Sequence, residues 1–327
     1  MKLSLKLLQD RVITLSITIA VLIIISSIIW PNTFPTFDNF SLVLLNLSIE
    51  TIVAVGMMIL MISGSFDLSV GSVVAFAGGF TAYLMYYWGV YVPVAIIAGI
   101  GVSILIGFIN GFLVARVGIN PLIQTLAMMG IIRGLALMVS GAGIQNFPES
   151  FNVIGQTKIL GFQTPVWFML IIVALFAFLV AKTTFFRKYY YIGGNEKAAK
   201  LSGIRVEKMK IYSFILISSL AGFAGILLSS RLGAAMSTSG QGMELRVITA
   251  VILGGASLLG GQGKILGAML GTIFMGLISN VMILARVSGY WQQIILGLIL
   301  ILAVVIDIIL KKNVGIAPKK YLKKAVN

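Results

Sequence analysis

The chain has 327 residues, of which 59% are hydrophobic and only 10% are charged, against roughly 25% charged residues in an average soluble domain. A net charge of +15 would suit a nucleic-acid-binding protein, but the basic residues stand in short segments between long apolar runs, which excludes that class and indicates a membrane protein. The sequence contains no cysteine and no histidine, so disulfides, thiol chemistry and histidine metal or proton sites are excluded.

Ten apolar stretches follow one another along the chain, and one bilayer crossing takes about 20 such residues. They are 12–30, 42–62, 70–88, 91–114, 121–140, 165–181, 211–230, 246–260, 265–285 and 291–310. We predict an all-α polytopic protein of the cytoplasmic (inner) membrane, with about ten transmembrane helices and both termini in the cytoplasm. The third and eighth stretches are short and interrupted by glycine, so we expect partial or broken helices there.

The distribution of lysine and arginine sets this orientation, because cytoplasmic loops carry an excess of both. Most of the 24 basic residues then lie inside, and the first stretch is interpreted as an uncleaved span because no cleavage site follows it. The outer loops hold Lys158, Arg231, Arg246 and Arg286. The predicted organisation is a cytoplasmic N-terminus at 1–11, a transmembrane domain at 12–310 that includes a cytoplasmic loop at 182–210, and a basic tail at 311–327.

A few polar side chains lie inside or beside the apolar stretches and are candidates for a translocation path or its gate. The candidates are Asp67, Ser69, Gln124, Arg133, Glu244, Asn280 and Gln292. Asp67 and Glu244 each precede an apolar stretch, so either could instead cap a helix, and Arg133 could be a paired or snorkelling cation. The amides could bond a neutral polar substrate or simply a neighbouring helix, and both alternatives stay open at this point.

The loop at 182–210 is strongly basic and contains a short predicted helix. This helix starts at Asn195, continues through good helix formers to Leu201 and stops at Gly203. A connecting loop does not need such a helix, so we expect it to lie exposed on the cytoplasmic face. Elsewhere, Gly263, Gly267 and Gly271 repeat every four residues, a spacing that lets two helices pack closely.

The sequence carries no nucleotide-binding motif of its own. A P-loop ends in Gly-Lys-Ser/Thr, whereas the nearest approach here is Gly263-Lys264-Ile265, with the wrong third residue. No catalytic or metal-binding residues are assigned. Ionisable residues inside the apolar stretches are sparse, which disfavours an ion-coupled carrier. If ATP drives transport, another subunit must hydrolyse it.

Four stretches in order resemble the permease subunits of ribose-type ABC sugar importers, and the resemblance covers about residues 40–310. The first is Phe66-Asp67-Leu68-Ser69-Val70-Gly71-Ser72, which is similar to the family's Ile-Asp-Leu-Ser-Val-Gly-Ser. The others run from Pro121 to Leu137, from Ile192 to Ile204, and from Glu244 through Gly254-Gly255 and Gly260-Gly261 to Trp291-Gln292-Gln293 and Asp307. Ser65, Ala127, Met128 and Arg246 depart from the family pattern and leave the identity of the substrate open.

The resemblance implies a coupling helix that docks on an ATPase subunit. Its residues here are Gly194, Asn195, Glu196, Ala198, Ala199, Leu201, Ser202 and Gly203. It also implies an ABC ATP-binding subunit that carries the ATP and Mg²⁺, an extracytoplasmic sugar-binding protein, and a second permease chain, identical or different. The expected cargo is ribose or a related monosaccharide. Alternatives are an autoinducer sugar, a nucleoside, a branched-chain amino acid or, in another class, an ion-coupled carrier.

Overall fold

The computed structural model describes residues 11–313, and most of them belong to helices. The thirteen helices described are α1 (Arg11–Ile29), α2 (Phe37–Ile62), α3 (Val70–Trp88), α4 (Val92–Phe112), α5 (Pro121–Ser140), α6 (Glu149–Gln156), α7 (Thr164–Lys182), α8 (Thr184–Gly194), α9 (Glu196–Leu201), α10 (Val206–Leu232), α11 (Met243–Leu253), α12 (Ile265–Leu284) and α13 (Gly289–Asn313). A π-helical turn, Leu113–Val117, extends α4. The predicted N-terminal segment up to residue 10 and the basic tail from residue 314 lie outside the described residues.

Each of the ten predicted stretches corresponds to a helix, which confirms the all-α membrane fold. Within residues 11–313, eight helices are long and apolar enough to cross a bilayer: α1 to α5, α7, α10 and α12. The eighth stretch forms only α11, whose 11 residues rise about 16 Å and fall short of a hydrocarbon core of about 30 Å. The expectation of a partial helix is therefore confirmed at this position.

The same expectation was wrong for the third stretch, because α3 runs without interruption over 19 residues. Its glycines serve close packing instead: a Cβ atom on Gly78 would lie 2.8 Å from the carbonyl oxygen of Gly225 on α10. The break lies just before α3, where residues 63–69 leave the helical path between α2 and α3. A non-helical segment of this kind is stable at membrane depth only where protein or water covers its backbone, and Asp67 and Ser69 are fully buried.

Helices α2, α3 and α10 form the centre of the molecule. In α2 every residue from Leu47 to Ile62 is buried except Glu50, which is partly buried. Helix α10 packs against α3, α4 and α2, and α4 approaches it through Gly107 and Gly111. Helices α1, α5 and α7 bury far less of their surface in the chain, so most of their apolar side chains face lipid or another subunit.

The four-residue glycine repeat brings α12 against α11, as the spacing predicts. A Cβ atom on Gly267 would overlap the carbonyl oxygen of Gly254, and one on Gly271 would overlap the carbonyl oxygen of Ala250. Backbone therefore meets backbone along this contact, which is the packing that small residues allow in membranes.

Short elements lie at the two ends of the helices. At the outer end, β1 (Ile144–Gln145) pairs with β4 (Ala234–Ala235), and β2 (Lys158–Ile159) pairs with β3 (Phe162–Gln163) around α6. At the inner end, α8 and α9 occupy the predicted cytoplasmic loop. The β1–β4 pair ties the segment after α5 to the segment that leads from α10 into α11.

Candidate translocation path and docking helix

A closed polar cluster forms around Asp67 in the break before α3. The backbone amide and the hydroxyl of Ser69 donate hydrogen bonds to Asp67 Oδ1, of 2.7 and 2.6 Å. The side-chain amide of Asn110 donates a hydrogen bond of 3.4 Å to Asp67 Oδ2. Asn110 also donates to Ser69 Oγ, and Gln124 donates to Asn110 Oδ1 over 3.1 Å. Three of the predicted path residues, Asp67, Ser69 and Gln124, thus meet here with Asn110.

This cluster joins three elements and is almost sealed from solvent. Asp67, Ser69 and Asn110 are fully buried, and Gln124 is 8% exposed. Asp67 accepts from the Ser69 amide two residues ahead, so it organises the turn that enters α3 but does not cap the helix, whose first turn receives no side-chain bond. The cluster therefore holds the break against α4 and α5.

Arg133 and Glu244 both lie near the entrance to α11. The Arg133 guanidinium on α5 donates to the backbone carbonyls of Ser237 and Ser239, and its charge interacts with that of Glu244. Arg133 is thus held by backbone carbonyl oxygens of the segment before α11. Glu244 does not cap α11, because its Oε2 is buried without a hydrogen-bond partner among the described residues.

A cavity of about 540 Å³ opens beside Glu244, between α11, α12 and α13. Its polar lining includes Gln241, Glu244, Arg246 and Gln293.

One of these residues forms an ion pair with the helix core. The Arg246 guanidinium lies 2.7 Å from the carboxylate of Glu50, which is near the middle of α2. Arg246 therefore lies against the helix core, which corrects its assignment to the outer loops. The sequence analysis did not predict this ion pair, although a carboxylate and a guanidinium that both lie within apolar stretches are expected to pair with each other.

The two remaining path candidates lie apart from this cavity and from the Asp67 cluster. The side-chain amides of Asn280 on α12 and Asn39 on α2 form two reciprocal hydrogen bonds, of 2.7 and 3.2 Å. Gln292 donates to the carbonyl oxygen of Val287 over 2.9 Å, inside the turn that leads into α13. Asn280 thus joins two helices, and Gln292 closes a local turn.

Helix α9 forms at the predicted position and follows α8 after a single residue. The Asn195 side chain accepts from the Ala198 amide, and Gly203 ends the segment with a positive φ of 80°. Glu196 pairs with Lys210 over 2.7 Å and with Lys200 over 3.5 Å. Burial raises the pKa of the Glu196 carboxyl, but the bond and the charge of Lys210, together with Lys200, outweigh burial, so the pKa lies below its ordinary value.

The side chains of α9 divide into an inward and an outward set. Ala199 is 3% exposed and packs against the chain, whereas Leu201 is 91% exposed, which is unusual for a leucine outside the lipid-facing surface. Ala198, Ser202 and Gly203 are exposed beside Leu201. Ala198 and Leu201 thus form a small exposed apolar surface at the end of a capped helix.

Comparison with known proteins gives one family and several close relatives. The profile of the family described as "Branched-chain amino acid transport system / permease component" matches residues 39–304. The chain is similar to the L-arabinose transport system permease protein AraH of Escherichia coli (strain K12), with 41% identity over 89% of this chain and 88% of the relative. It is 38% identical to the ribose import permease protein RbsC of the same strain, over 89% of this chain and 92% of the relative.

A third relative has a different cargo in its name. The autoinducer 2 import system permease protein LsrC of Shigella flexneri is 33% identical over 91% of this chain and 87% of its own length. No solved structure matches the chain.

Proposed function

The chain belongs to the branched-chain amino acid transport system / permease component family, and we propose that it is the membrane permease of an ATP-driven importer for a monosaccharide. The observation that carries the choice of cargo is the set of relatives at 33–41% identity over about nine tenths of the chain, which are named for L-arabinose, ribose and autoinducer 2. Two of these three cargoes are pentoses, so a pentose is the first cargo to test.

In this proposal the energy comes from a partner ATPase subunit, which binds the ATP and the Mg²⁺. The absence of a P-loop in the sequence supports this division of labour. Helix α9 is the docking element, and its exposed residues Ala198 and Leu201 are the contact. Ala199 is buried, so its role is to hold α9 on the chain, and a bulky residue there would test packing as well as docking.

The proposed path runs beside α11, where the cavity offers both hydrogen-bond donors and acceptors to a neutral polyol. Glu244 and Gln293 supply acceptors, and Arg246 and Gln293 supply donors. The cavity is only partly enclosed, which suits a passage in which substrate is not bound tightly. Selectivity then lies largely in an extracytoplasmic binding protein, and a second permease chain forms the opposite wall.

Autoinducer 2 is the second candidate cargo, favoured by the similarity to LsrC. The two cargoes can be distinguished by uptake of labelled L-arabinose, D-ribose and autoinducer 2 into proteoliposomes that contain the purified complex and its binding protein. A branched-chain amino acid is included as a fourth substrate because of the family description.

The test of the proposal is purification of the tagged chain in mild detergent followed by an uptake assay. We expect a P-loop ATPase subunit to co-purify and sugar uptake to require ATP. Uptake by the chain alone that collapses with an ionophore would instead identify an ion-coupled carrier and overturn the proposal.

A further inference from the structure

The inner end of the molecule contains a point where three separate backbone segments touch without intervening side chains. The segments are the end of α2 with the break that follows it, the end of α8, and the segment 254–264 between α11 and α12. The Gly261 amide donates to the Ile62 carbonyl oxygen over 2.8 Å and joins the first segment to the third.

The end of α8 lies directly against that hydrogen bond. A Cβ atom on Gly193 would overlap both the Ile62 carbonyl oxygen and the Gly261 nitrogen. A Cβ atom on Gly260 would lie 2.9 Å from the Cα atoms of both Gly193 and Gly64. Real Cβ atoms do not approach backbone so closely, so these positions require glycine.

A hydrogen bond from a side chain stabilises the same contact one turn earlier on α8. The Tyr190 hydroxyl donates to the Gly263 carbonyl oxygen over 2.8 Å. The contact is therefore fixed at two points along α8, by glycine packing at residue 193 and by a hydrogen bond at residue 190.

The three segments lead to the three functional elements described above. Helix α8 continues through Asn195 into the docking helix α9. The break after Ile62 contains Asp67, three residues beyond Gly64. The segment 254–264 follows α11, whose first turn carries Glu244 at the cavity.

We propose that Gly64, Gly193, Gly260 and Gly261, with Tyr190, form a backbone junction that transmits movement of α9 to the break before α3 and to α11. The proposal rests on the proposed function, in which α9 receives the movement of the ATPase subunit. Backbone contacts suit this task, because packed backbone has no rotamers that could absorb a displacement of the docking helix. The glycines and Tyr190 are positioning residues, since they act through the segments they join.

The test compares ATP hydrolysis with sugar uptake in the intact transporter, reconstituted with its ATPase subunit and binding protein, with labelled L-arabinose and D-ribose as probes. Gly193→Ala is expected to leave ATPase capture and ATP hydrolysis in place and to lower uptake per ATP by about tenfold, a value typical of coupling between two sites. Tyr190→Phe removes only the hydroxyl and is expected to lower the same ratio by a smaller factor, about threefold.

The matched control is Gly155→Ala at the outer end, where a Cβ atom would overlap the backbone nitrogen of Arg231 on α10. This variant creates similar crowding far from the junction and is expected to keep the wild-type ratio of uptake to ATP. If Gly193→Ala does not fold, Tyr190→Phe decides the question through the same ratio.

Three results would overturn the junction alone: a wild-type ratio in Gly193→Ala, a wild-type ratio in Tyr190→Phe, or an equal loss of coupling in Gly155→Ala. If the wild-type chain captures no ATPase subunit, the proposed function itself fails, and the junction proposal fails with it. Failure of the junction is thus observed in the variants, whereas failure of the proposed function is observed in the wild-type chain.

Discussion

The Asp67 cluster permits a prediction whose magnitude follows from its hydrogen bonds. Asp67→Ala removes the acceptor of the Ser69 backbone amide, of the Ser69 hydroxyl and of one N–H of the Asn110 side chain, all of which are buried. A buried donor left without a partner costs about 1–3 kcal/mol, so three such donors make the loss of folding free energy about 3–9 kcal/mol. Asp67→Asn keeps one oxygen for Ser69 but turns an amide NH₂ toward the Asn110 NH₂, and we expect it to cost about 1–3 kcal/mol.

A compensating change tests the same reasoning more sharply. In the double variant Asp67→Asn with Asn110→Asp, a carboxylate oxygen at position 110 accepts from the new amide and still accepts from Gln124. We expect a favourable interaction free energy of about 1–2 kcal/mol between positions 67 and 110, within the range found for residues in one hydrogen-bond network.

The assay is thermal unfolding in detergent, followed by the fluorescence of the four tryptophans, since the chain has no cysteine for a thiol dye. For soluble domains of 150–250 residues, 1 kcal/mol corresponds to about 2–4 °C in Tm, so we expect a shift of several degrees in Asp67→Ala. An unchanged Tm in Asp67→Ala, or strictly additive effects in the double variant, would refute the account of the cluster.

Three further predictions concern other parts of the chain. Leu201→Ser should leave the Tm unchanged, because its side chain is 91% exposed, and should lower co-purification of the ATPase subunit by about tenfold if the leucine is a contact of about 1.4 kcal/mol. Gly271→Ala should destabilise the chain by about 1–3 kcal/mol through overpacking, measured by Tm, whereas Gly297→Ala, with open space at its Cβ, should not. The pKa of Glu196 is lowered against its ordinary value of 4.5 because the bond and charge of Lys210 outweigh the effect of burial. The contribution of Glu196 to the stability of α9 is therefore fully present above about pH 4.5 and is lost as the pH falls through the lowered value, so pepsin should cleave α9 faster as the pH falls below 4.5.

Each of these predictions has a result that contradicts it. Normal ATPase capture by Leu201→Ser would remove this leucine from the docking surface. Equal stability of Gly271→Ala and Gly297→Ala would contradict the close contact of α11 with α12. A Glu196→Gln variant has no carboxylate to titrate, and if its cleavage by pepsin had the same pH dependence as the wild type, the dependence would belong to the protease or to other groups.

The helices could be predicted from the sequence because the bilayer leaves the backbone little choice. In the bilayer no water is present to form hydrogen bonds with free backbone amides and carbonyls, so a long apolar segment must pair these groups internally by forming a helix. The length of each apolar stretch was therefore enough to predict a helix at all ten positions. Helix α9 was predictable for a local reason, because Asn195 and Gly203, eight positions apart, mark its two ends. The glycine spacing in α12 was likewise a local signal of close packing.

The sequence did not indicate which polar residues would meet. Asp67 and Asn110 are 43 positions apart, and Glu50 and Arg246 are 196 apart, so only the packing of whole helices brings each pair together. A membrane helix is apolar toward lipid and toward protein alike, so no periodicity in its sequence identifies the inward face. For the same reason the role of Gly193 could not be read from the chain: a glycine has no side chain to suggest a partner, and only the tertiary structure shows the two backbones that exclude a Cβ atom.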